Sequence, residues 1–310
     1  MKKFILLFIL TIFFAAPALA APPLVDPAWV KGHIGKPGVV FLDVRGSPRT
    51  FQAGHIPGAV LTSYGREKWR VEINHVPGML PPVKDQEKLI VRLGIGNTDH
   101  VVLVPDGCNS GEMGVAARLY WTFKVLGYDE VSILDGGMAG YTSDKRNPLD
   151  KNYAPPGPKT FKANFRAELL ATDEDIKKAL AGDGTALLDN RPNDQHLGIN
   201  KSGAVQRTGT LKGAVNLPGK WTTVNDGGKF RTVDVLRRLY AAAKAPTEGK
   251  TITFCNTGHW ASLGWFVNSE LLGNKNTKMY DGSMADWSRK PDNPMDQRVK
   301  LKYRKRGEPS

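Results

Sequence analysis

Cysteine is scarce in this chain of 310 residues, which contains only Cys108 and Cys255. Two cysteines are too few for a disulfide-dense fold or for a zinc site built mainly of thiolates. The six histidines never stand in a close pair at the spacing of metal ligands, so neither a metal site nor a cofactor is expected. Chemistry that depends on sulfur must therefore use one of these two thiols.

The chain also lacks an apolar segment long enough to span a membrane. The apolar run at residues 4–16 has 13 residues, whereas about 20 are needed to cross a bilayer. Two lysines precede it and Ala18-Leu19-Ala20 follows it, which is typical of a secretory signal peptide cleaved after Ala20. No cysteine follows that site to accept a lipid. We expect a soluble, exported protein, periplasmic in a Gram-negative source, without stable membrane insertion.

Acidic residues are outnumbered by basic ones, 30 to 43, which gives a formal net charge of +13. The excess is spread along the chain and is densest at residues 298–306. No nucleic-acid-binding motif accompanies it, so nucleic acid is not an expected partner. The sign of the charge suits a small anionic substrate.

Short segments of the first half return in the second half in the same order. The recurring pairs are residues 41–45 with 187–191, 54–60 with 209–215, and 134–141 with 280–287. Three matches in one order indicate two copies of one domain. We predict an N-terminal domain at residues 21–146, a proline-rich linker at 147–159 and a C-terminal domain at 160–310.

Buried strands rich in β-branched residues alternate with helices in both copies. The predicted strands are residues 39–44, 101–104 and 131–134 in the first copy and 186–188, 251–254 and 278–280 in the second. Helices are predicted at residues 114–126 and 261–272, and each is ended by a glycine, Gly127 or Gly273. This order predicts an α/β fold in which each domain is a doubly wound, mainly parallel sheet flanked by helices.

The second cysteine stands where such a fold places its ligand site. Cys255 follows a predicted strand and precedes a helix, and open parallel sheets bind ligands at the carboxyl ends of their strands. Amide N–H groups at the start of a helix have no partner within the helix, and together with the helix dipole they favour a thiolate. A buried, inert cysteine at a strand end is the alternative that position alone leaves open.

The chain resembles a tandem-domain rhodanese, a sulfurtransferase, over nearly its whole mature length. The resemblance rests on Asp-x-Arg at residues 43–45, Gly-His-Ile-Pro-Gly-Ala at 54–59, Asp-Gly-Gly and Asp-Gly-Ser after the last strands, and the loop that Cys255 begins. It implies that Cys255 takes up a sulfane sulfur as a persulfide and passes it to a thiophilic acceptor such as cyanide or a thiol. It also implies that Arg191 orients the substrate and that six residues form an amide cradle for the anionic sulfur: Asn256, Thr257, Gly258, His259, Trp260 and Ala261.

The loop sequence departs from the well-known versions of that family. Asn256 and Thr257 replace the Arg and Lys that are common in members that favour thiosulfate, while His259 and Trp260 replace the Val and Thr of members that favour mercaptopyruvate. The loop therefore does not assign the donor; an anionic donor, thiosulfate first, suits the net charge. His259 either assists anion binding or proton transfer or is an exposed histidine without a role.

The first copy has no cysteine in register with Cys255 and is expected to be inactive. Counted from the strand, Pro105 holds that position. We expect a loop four residues longer, because the segment from the strand to the helix-ending glycine is longer by that amount. Cys108 lies deeper in this loop near Asp106 and Glu112, and acidic neighbours disfavour a thiolate. A second active thiol, or a redox partner for Cys255, is the alternative.

Two other functions compete with catalysis of sulfur transfer. A non-catalytic sulfur carrier would hold a persulfide on Cys255 for a periplasmic thiol protein, without turnover of small donors. A phosphatase or arsenate reductase of the Cys-x5-Arg type is excluded, because the required Arg is replaced by Ala261 and a phosphate dianion then lacks its bidentate cation.

Overall fold

The computed structural model describes residues 21–301. The N-terminal half, called the first unit, combines β-strands and α-helices in layers. The strands of this unit are β1 (Leu24–Val25), β2 (Val39–Asp43), β3 (Val60–Leu61), β4 (Val71–Ile73), β5 (Val76–Met79), β6 (His100–Val104) and β7 (Val131–Leu134). Its helices are α1 (Pro27–His33), α2 (Pro48–Ala53), α3 (Val83–Arg92), α4 (Ser110–Val125) and α5 (Gly137–Ser143). Five strands form a parallel sheet in the order β1-β7-β6-β2-β3, and β4 and β5 form a separate antiparallel hairpin.

The second unit repeats the same sheet. Its strands are β8 (Leu170–Ala171), β9 (Ala186–Asp189), β10 (Val215–Asn216), β11 (Thr251–Phe254) and β12 (Thr277–Tyr280). Its α-helices are α6 (Asp173–Leu180), α7 (Asn193–Leu197), α8 (Val233–Ala242), α9 (His259–Trp265) and α10 (Ser283–Trp287). Short 3-10 helices lie at Ala167–Leu169, Gly219–Thr222 and Val224–Asp226, and a π-helical segment lies at Phe266–Leu271. The parallel order β8-β12-β11-β9-β10 matches that of the first sheet.

The predicted α/β fold with two mainly parallel sheets is confirmed. All six predicted strands are present, and their bounds agree with β2, β6, β7, β9, β11 and β12 to within one residue. These are the central strands, which are buried on both faces and therefore read as continuous apolar runs. The two-residue edge strands β1, β3, β8 and β10 are too short to give such a pattern.

The expected loop length in the first unit is wrong. The loop between β6 and α4 has five residues and the loop between β11 and α9 has four, so the difference is one residue. The other extra residues lie in the helix: α4 has 16 residues, whereas α9 has 7 and the π-helical segment after it has 6. The predicted glycines do follow the ends of α4 and of the π-helical segment after α9, with positive φ angles of 81° at Gly127 and 88° at Gly273.

The two units pack against each other through α4 and α9. The ring of Tyr120 on α4 meets Phe266 edge to face, with centroids 4.8 Å apart, and its hydroxyl donates to Glu270 at 3.0 Å. The largest cluster of buried apolar side chains contains residues of both units. The units therefore share one core, and the first helical turns of α4 and α9 meet at its edge.

Between α5 and the second unit, the described chain has no helix or strand from residue 144 to residue 166, apart from one bridge at Asp150. This segment includes the predicted linker and is tied to the first unit, since Lys159 forms an ion pair with Asp99 at 2.6 Å. Among the described residues, no helix has the length and apolarity needed to cross a membrane. The predicted signal peptide lies outside the described residues.

Candidate active site

Cys255 lies at the carboxyl end of the central strand of the second sheet. It follows β11, which pairs with β9 on one side and β12 on the other. Residues 255–258 form a short loop, and α9 begins at His259. The cysteine is only 1% exposed, so a sulfur atom bound to it would be shielded from bulk water. This is the position that the sequence predicted for the reactive thiol.

The loop supplies amide donors that are free to bind an anion. Within residues 21–301 no acceptor is present for five backbone N–H groups, those of Asn256, Thr257, His259, Trp260 and Ala261. The last three belong to the first turn of α9, whose amides have no partner inside the helix. Five unpaired donors beside one cysteine form a group that can stabilise negative charge on sulfur.

A serine that the sequence analysis did not identify fixes the shape of this loop. The Oγ atom of Ser283 accepts hydrogen bonds from the amides of Cys255 at 3.1 Å and Gly258 at 3.2 Å, and donates to the carbonyl of Tyr280 at 2.8 Å. Ser283 has a φ of 51°, and its equivalent in the first unit is Gly137, with a φ of 55°. The sequence does contain a signal for this role, because Ser283 has a hydroxyl side chain where the first copy has glycine.

The first unit covers this loop with two arginines. Arg70 donates from Nη2 to the carbonyl of Thr257. Arg118, which is fully buried, lies 3.5 Å from the carbonyl of Gly258 and forms an ion pair with Asp281 at 2.5 Å. The sequence offers no local pattern for these contacts, because the partners are 140 or more residues apart.

His259 is held in a neutral state by the first unit. Its Nε2 atom lies 3.0 Å from the carbonyl of Gly111 and must be the protonated nitrogen, so Nδ1 accepts from the hydroxyl of Tyr64 at 3.2 Å. Burial and then the Arg70 guanidinium lower the pKa of His259 to about 4. His259 is therefore not an exposed histidine without partners, and a neutral imidazole has no positive charge with which to bind an anion; a part in proton transfer stays a prediction.

The other predicted cradle residues line the loop in different ways. Trp260 packs on Gly219 so closely that a Cβ atom on that glycine would lie 2.8 Å from the indole. Ala261 is fully buried. The carbonyl of Asn256 accepts from the amide of Ala285 at 2.8 Å, while its side-chain oxygen Oδ1 is buried and has no donor among the described residues.

Arg191 is placed differently from the predicted donor-orienting role. It is fully buried, and its guanidinium donates to both oxygens of Asp189, at 2.9 and 2.7 Å, and to the carbonyl of Gly209 at 3.0 Å. Burial raises the pKa of Asp189, but Arg191 and His196 outweigh it and hold that pKa well below its usual range. This guanidinium is committed to the fold, so we correct its role to that of a structural ion pair.

The first unit repeats that ion pair without the cysteine loop. Arg45 donates to Asp43 at 2.6 Å and to the carbonyl of Gly54 at 2.9 Å. An interaction present in both copies is not evidence for a substrate contact in one of them. The recurrence supports a structural role for Arg191.

The equivalent loop of the first unit surrounds its thiol with acidic groups. Cys108 is exposed, and its amide donates to Glu112 at 2.6 Å. Partial desolvation and the carboxylates of Asp106 and Glu112 raise the pKa of the Cys108 thiol. These surroundings oppose a thiolate at neutral pH. No group of three or more metal-binding side chains comes together anywhere in residues 21–301.

Comparison with known proteins agrees with this geometry. Both units match the Rhodanese-like domain, over residues 26–144 and 172–290. A protein of Saccharopolyspora erythraea that is named as a thiosulfate sulfurtransferase is 32% identical over 273 residues, which cover 85% of this chain and 92% of the relative. The sulfur carrier protein TtuD of Thermus thermophilus is 31% identical over 279 residues, or 85% of this chain and 93% of the relative.

A solved structure shows the same fold. The 3-mercaptopyruvate enzyme SseA of Escherichia coli superimposes with a TM-score of 0.72 at 24% identity, covering 85% of this chain and 99% of SseA. At this identity the likeness concerns the fold alone. With both units matched by one family model and relatives above 30% identity along most of its length, the chain belongs to the rhodanese-like family and carries two of its domains.

Proposed function

We propose that the chain moves a sulfane sulfur from an anionic donor to a thiophilic acceptor through a persulfide on Cys255. The chain is a sulfurtransferase enzyme, in keeping with relatives that bear that name along nearly their whole length. The observation that carries the proposed mechanism is the group of five unpaired amides beside a buried thiol. Such preorganised donors stabilise charge as it develops, without a general base.

The reaction balances without an external oxidant or reductant. The Cys255 thiolate attacks the outer sulfur of thiosulfate, a new S–S bond forms, and the old S–S bond breaks with its electron pair leaving on sulfite. The terminal sulfur of the persulfide is then attacked by cyanide or a thiolate, and Cys255 leaves as a thiolate. The amides of the loop stabilise the anionic sulfur in both half-reactions.

Thiosulfate is the donor we propose first. It is small and dianionic, which suits a cysteine that is 1% exposed and a loop with Arg70 and Arg118 beside it. The names of several relatives also refer to thiosulfate. Mercaptopyruvate is the competing donor, and parallel assays with both compounds at equal concentration would rank them by kcat/KM.

A sulfur carrier is the second candidate, favoured by the 31% identity to a protein named for that role. The two differ in turnover: an enzyme forms thiocyanate continuously from thiosulfate and cyanide, while a carrier stops after one sulfur per chain.

The primary test uses Cys255→Ser, which should abolish sulfur transfer because a hydroxyl cannot form a persulfide. The matched control Cys108→Ser should stay near wild type.

The same experiment locates the intermediate. Reduced protein incubated with thiosulfate should gain the mass of one sulfur on the peptide that contains Cys255, and cyanide should remove it. Equal loss of activity in both cysteine variants would instead indicate a dithiol mechanism. Absence of any cyanide-labile sulfur would refute the enzyme and the carrier together.

We also propose that the protein is exported and acts in the periplasm with a thiol protein as acceptor. The support is the leader-like pattern of residues 2–20. Expression of the full chain followed by cell fractionation and N-terminal sequencing should give a periplasmic product that begins at Ala21. A product that retains Met1 in the cytoplasm would overturn this part.

A further inference from the structure

The hairpin formed by β4 and β5 of the first unit lies against the loop that begins with Cys255. Arg70, the residue before β4, joins the two with one guanidinium. Its Nε atom donates to the carbonyl of Gly78 in β5 at 2.8 Å, and Nη2 donates to the carbonyl of Thr257. Arginine suits this place because its planar, rigid fork directs several N–H groups at fixed angles.

The same guanidinium connects to the loop by a second route. Its Nη1 atom donates to the hydroxyl of Tyr64 at 3.1 Å, and Tyr64 donates to Nδ1 of His259 at 3.2 Å. Burial raises the pKa of Tyr64, so the phenol keeps the proton that this second bond requires. His259 is the first residue of α9, and its own amide is one of the unpaired donors.

These contacts act on the two peptide planes that flank Gly258. One plane contains the Thr257 carbonyl and the other contains the His259 amide. Gly258 has a φ of 78°, and a Cβ atom there would lie 2.5 Å from Nη1 of Arg118 and 2.9 Å from the carbonyl of Asp281. A glycine in this region of φ has no side chain to restrict rotation, so its neighbours must hold the planes in place.

We propose that Arg70 is a positioning residue for sulfur transfer, which holds the Thr257 carbonyl and the Tyr64–His259 pair so that the loop amides face the sulfur of Cys255. The inference rests on the proposed function at Cys255 and gives the first unit a part in the reaction. Arg70 acts through the loop and does not itself contact the reacting atoms. Loss of its forked guanidinium with the positive charge kept should slow the step that develops charge on sulfur and leave donor binding unchanged.

The test compares Arg70→Lys with wild type in single turnover. Lysine keeps the charge and loses the fork, so the maximal rate of persulfide formation at saturating thiosulfate should fall on the order of 10- to 100-fold. The half-saturating thiosulfate concentration should change less than about twofold. The matched control is Arg66→Lys, an exposed arginine four residues away that donates to Gly46 within the first unit, and it should behave as wild type.

Each contrary result has a definite meaning. A full rate in Arg70→Lys would show that charge suffices and would overturn the positioning role. A raised half-saturating concentration with an unchanged maximal rate would make Arg70 a donor-binding residue instead. If wild-type protein forms no persulfide at all, the proposed function fails; if it does and Arg70→Lys matches it, only this inference fails.

A second variant keeps the inference testable if Arg70→Lys proves unstable. Tyr64→Phe removes the hydroxyl between Arg70 and His259 and should lower the same maximal rate. Because both side chains act on one loop, the effects of the two substitutions in the double variant should be less than multiplicative. A wild-type maximal rate in Tyr64→Phe alone, or fully independent effects of the two substitutions, would contradict a shared route through the loop.

Discussion

The loops at residues 105–109 and 255–258 occupy equivalent places in equivalent sheets, yet the charged groups around their cysteines differ in sign. Two guanidiniums, those of Arg70 and Arg118, lie over the second loop. At the first loop, the hydroxyl of Ser110 donates to the carboxylate of Asp226 from the second unit. Cationic groups favour an anionic sulfur, whereas the carboxylates of Asp106 and Glu112, both from the first unit itself, raise the pKa of the Cys108 thiol and oppose a thiolate there.

The framework that brings these segments together is the same on both sides. Asp281 accepts from the amide of Leu80 at 2.6 Å, and its counterpart Asp135 accepts from the amide of Phe230 at 2.9 Å. Each unit thus clamps a backbone amide of the other next to its own loop. The two loops thus differ in the side chains placed on a duplicated frame, and substitutions at paired positions can test what those side chains do.

The largest expected effect concerns the ion pairs that both units share. Arg191→Ala leaves the buried carboxylate of Asp189 without its guanidinium, and breaking such a pair costs about 3 to 5 kcal/mol of unfolding free energy. Arg45→Ala should cost nearly as much in the first unit, where the arginine side chain is 6% exposed. Denaturant unfolding of both variants measures the two losses.

A different pattern would revive the donor-orienting role of Arg191. If Arg191→Ala unfolds like wild type while kcat/KM for thiosulfate falls, the guanidinium serves the substrate and not the fold. Comparable instability in both variants would show that the Asp-x-Arg motif belongs to the fold of each domain.

Local patterns explain which parts of this molecule the sequence predicts well. The central strands, the order of the repeat and the position of Cys255 follow from apolar runs and short motifs that lie within a few residues of one another. The structural role of Arg191 could not be predicted from the sequence. The Asp-x-Arg motif is identical whether the guanidinium faces a ligand or the carboxylate beside it. Its burial decides the matter and depends on the whole domain.

The contacts that the first unit makes with the loop of Cys255 could not be predicted from the sequence for a related reason. Tyr64 reaches His259 across 195 positions and Arg70 reaches Thr257 across 187. Such pairs arise only when the two units dock, and neither partner lies in a recognisable motif. The loop-length error has a different origin: α4 is three residues longer than α9 and the π-helical segment together, and no pattern in the sequence shows whether extra residues lengthen the loop or the helix.

The next effect in size is a dependence of stability on acidic pH that comes from His259, the residue after the second loop. The pKa of His259 is lowered from its ordinary value near 6.5 to about 4. Between these values the unfolded chain binds a proton on this imidazole and the folded chain does not. Stability from this group is therefore complete above about pH 6.5 and is lost as the pH falls towards 4, by on the order of 2 to 3 kcal/mol.

Unfolding free energies of wild type and His259→Gln at several pH values isolate this contribution. Glutamine keeps an amide donor for the Gly111 carbonyl but does not titrate, so the variant should lose less stability than wild type between pH 6.5 and 4. Parallel slopes for the two proteins would mean that the histidine is protonated in the fold. The neutral link to Tyr64 would then be wrong.

The smallest effect concerns the residue that distinguishes the two Asp-Gly-x turns. Ser283→Gly gives the second unit the residue that the first has at Gly137, and glycine adopts the φ of 51° at this position without strain. The backbone should therefore be retained, while the amides of Cys255 and Gly258 lose their shared acceptor. Loss of one buried acceptor should lower kcat for thiocyanate formation on the order of 10-fold, which corresponds to about 1.4 kcal/mol.

Ser288→Ala is the matched control, because Ser288 is also buried and accepts one amide, that of Gln206, outside the loop. Equal kcat in the two variants would show that the loop keeps its shape without Ser283 and that the arginines of the first unit suffice to hold it.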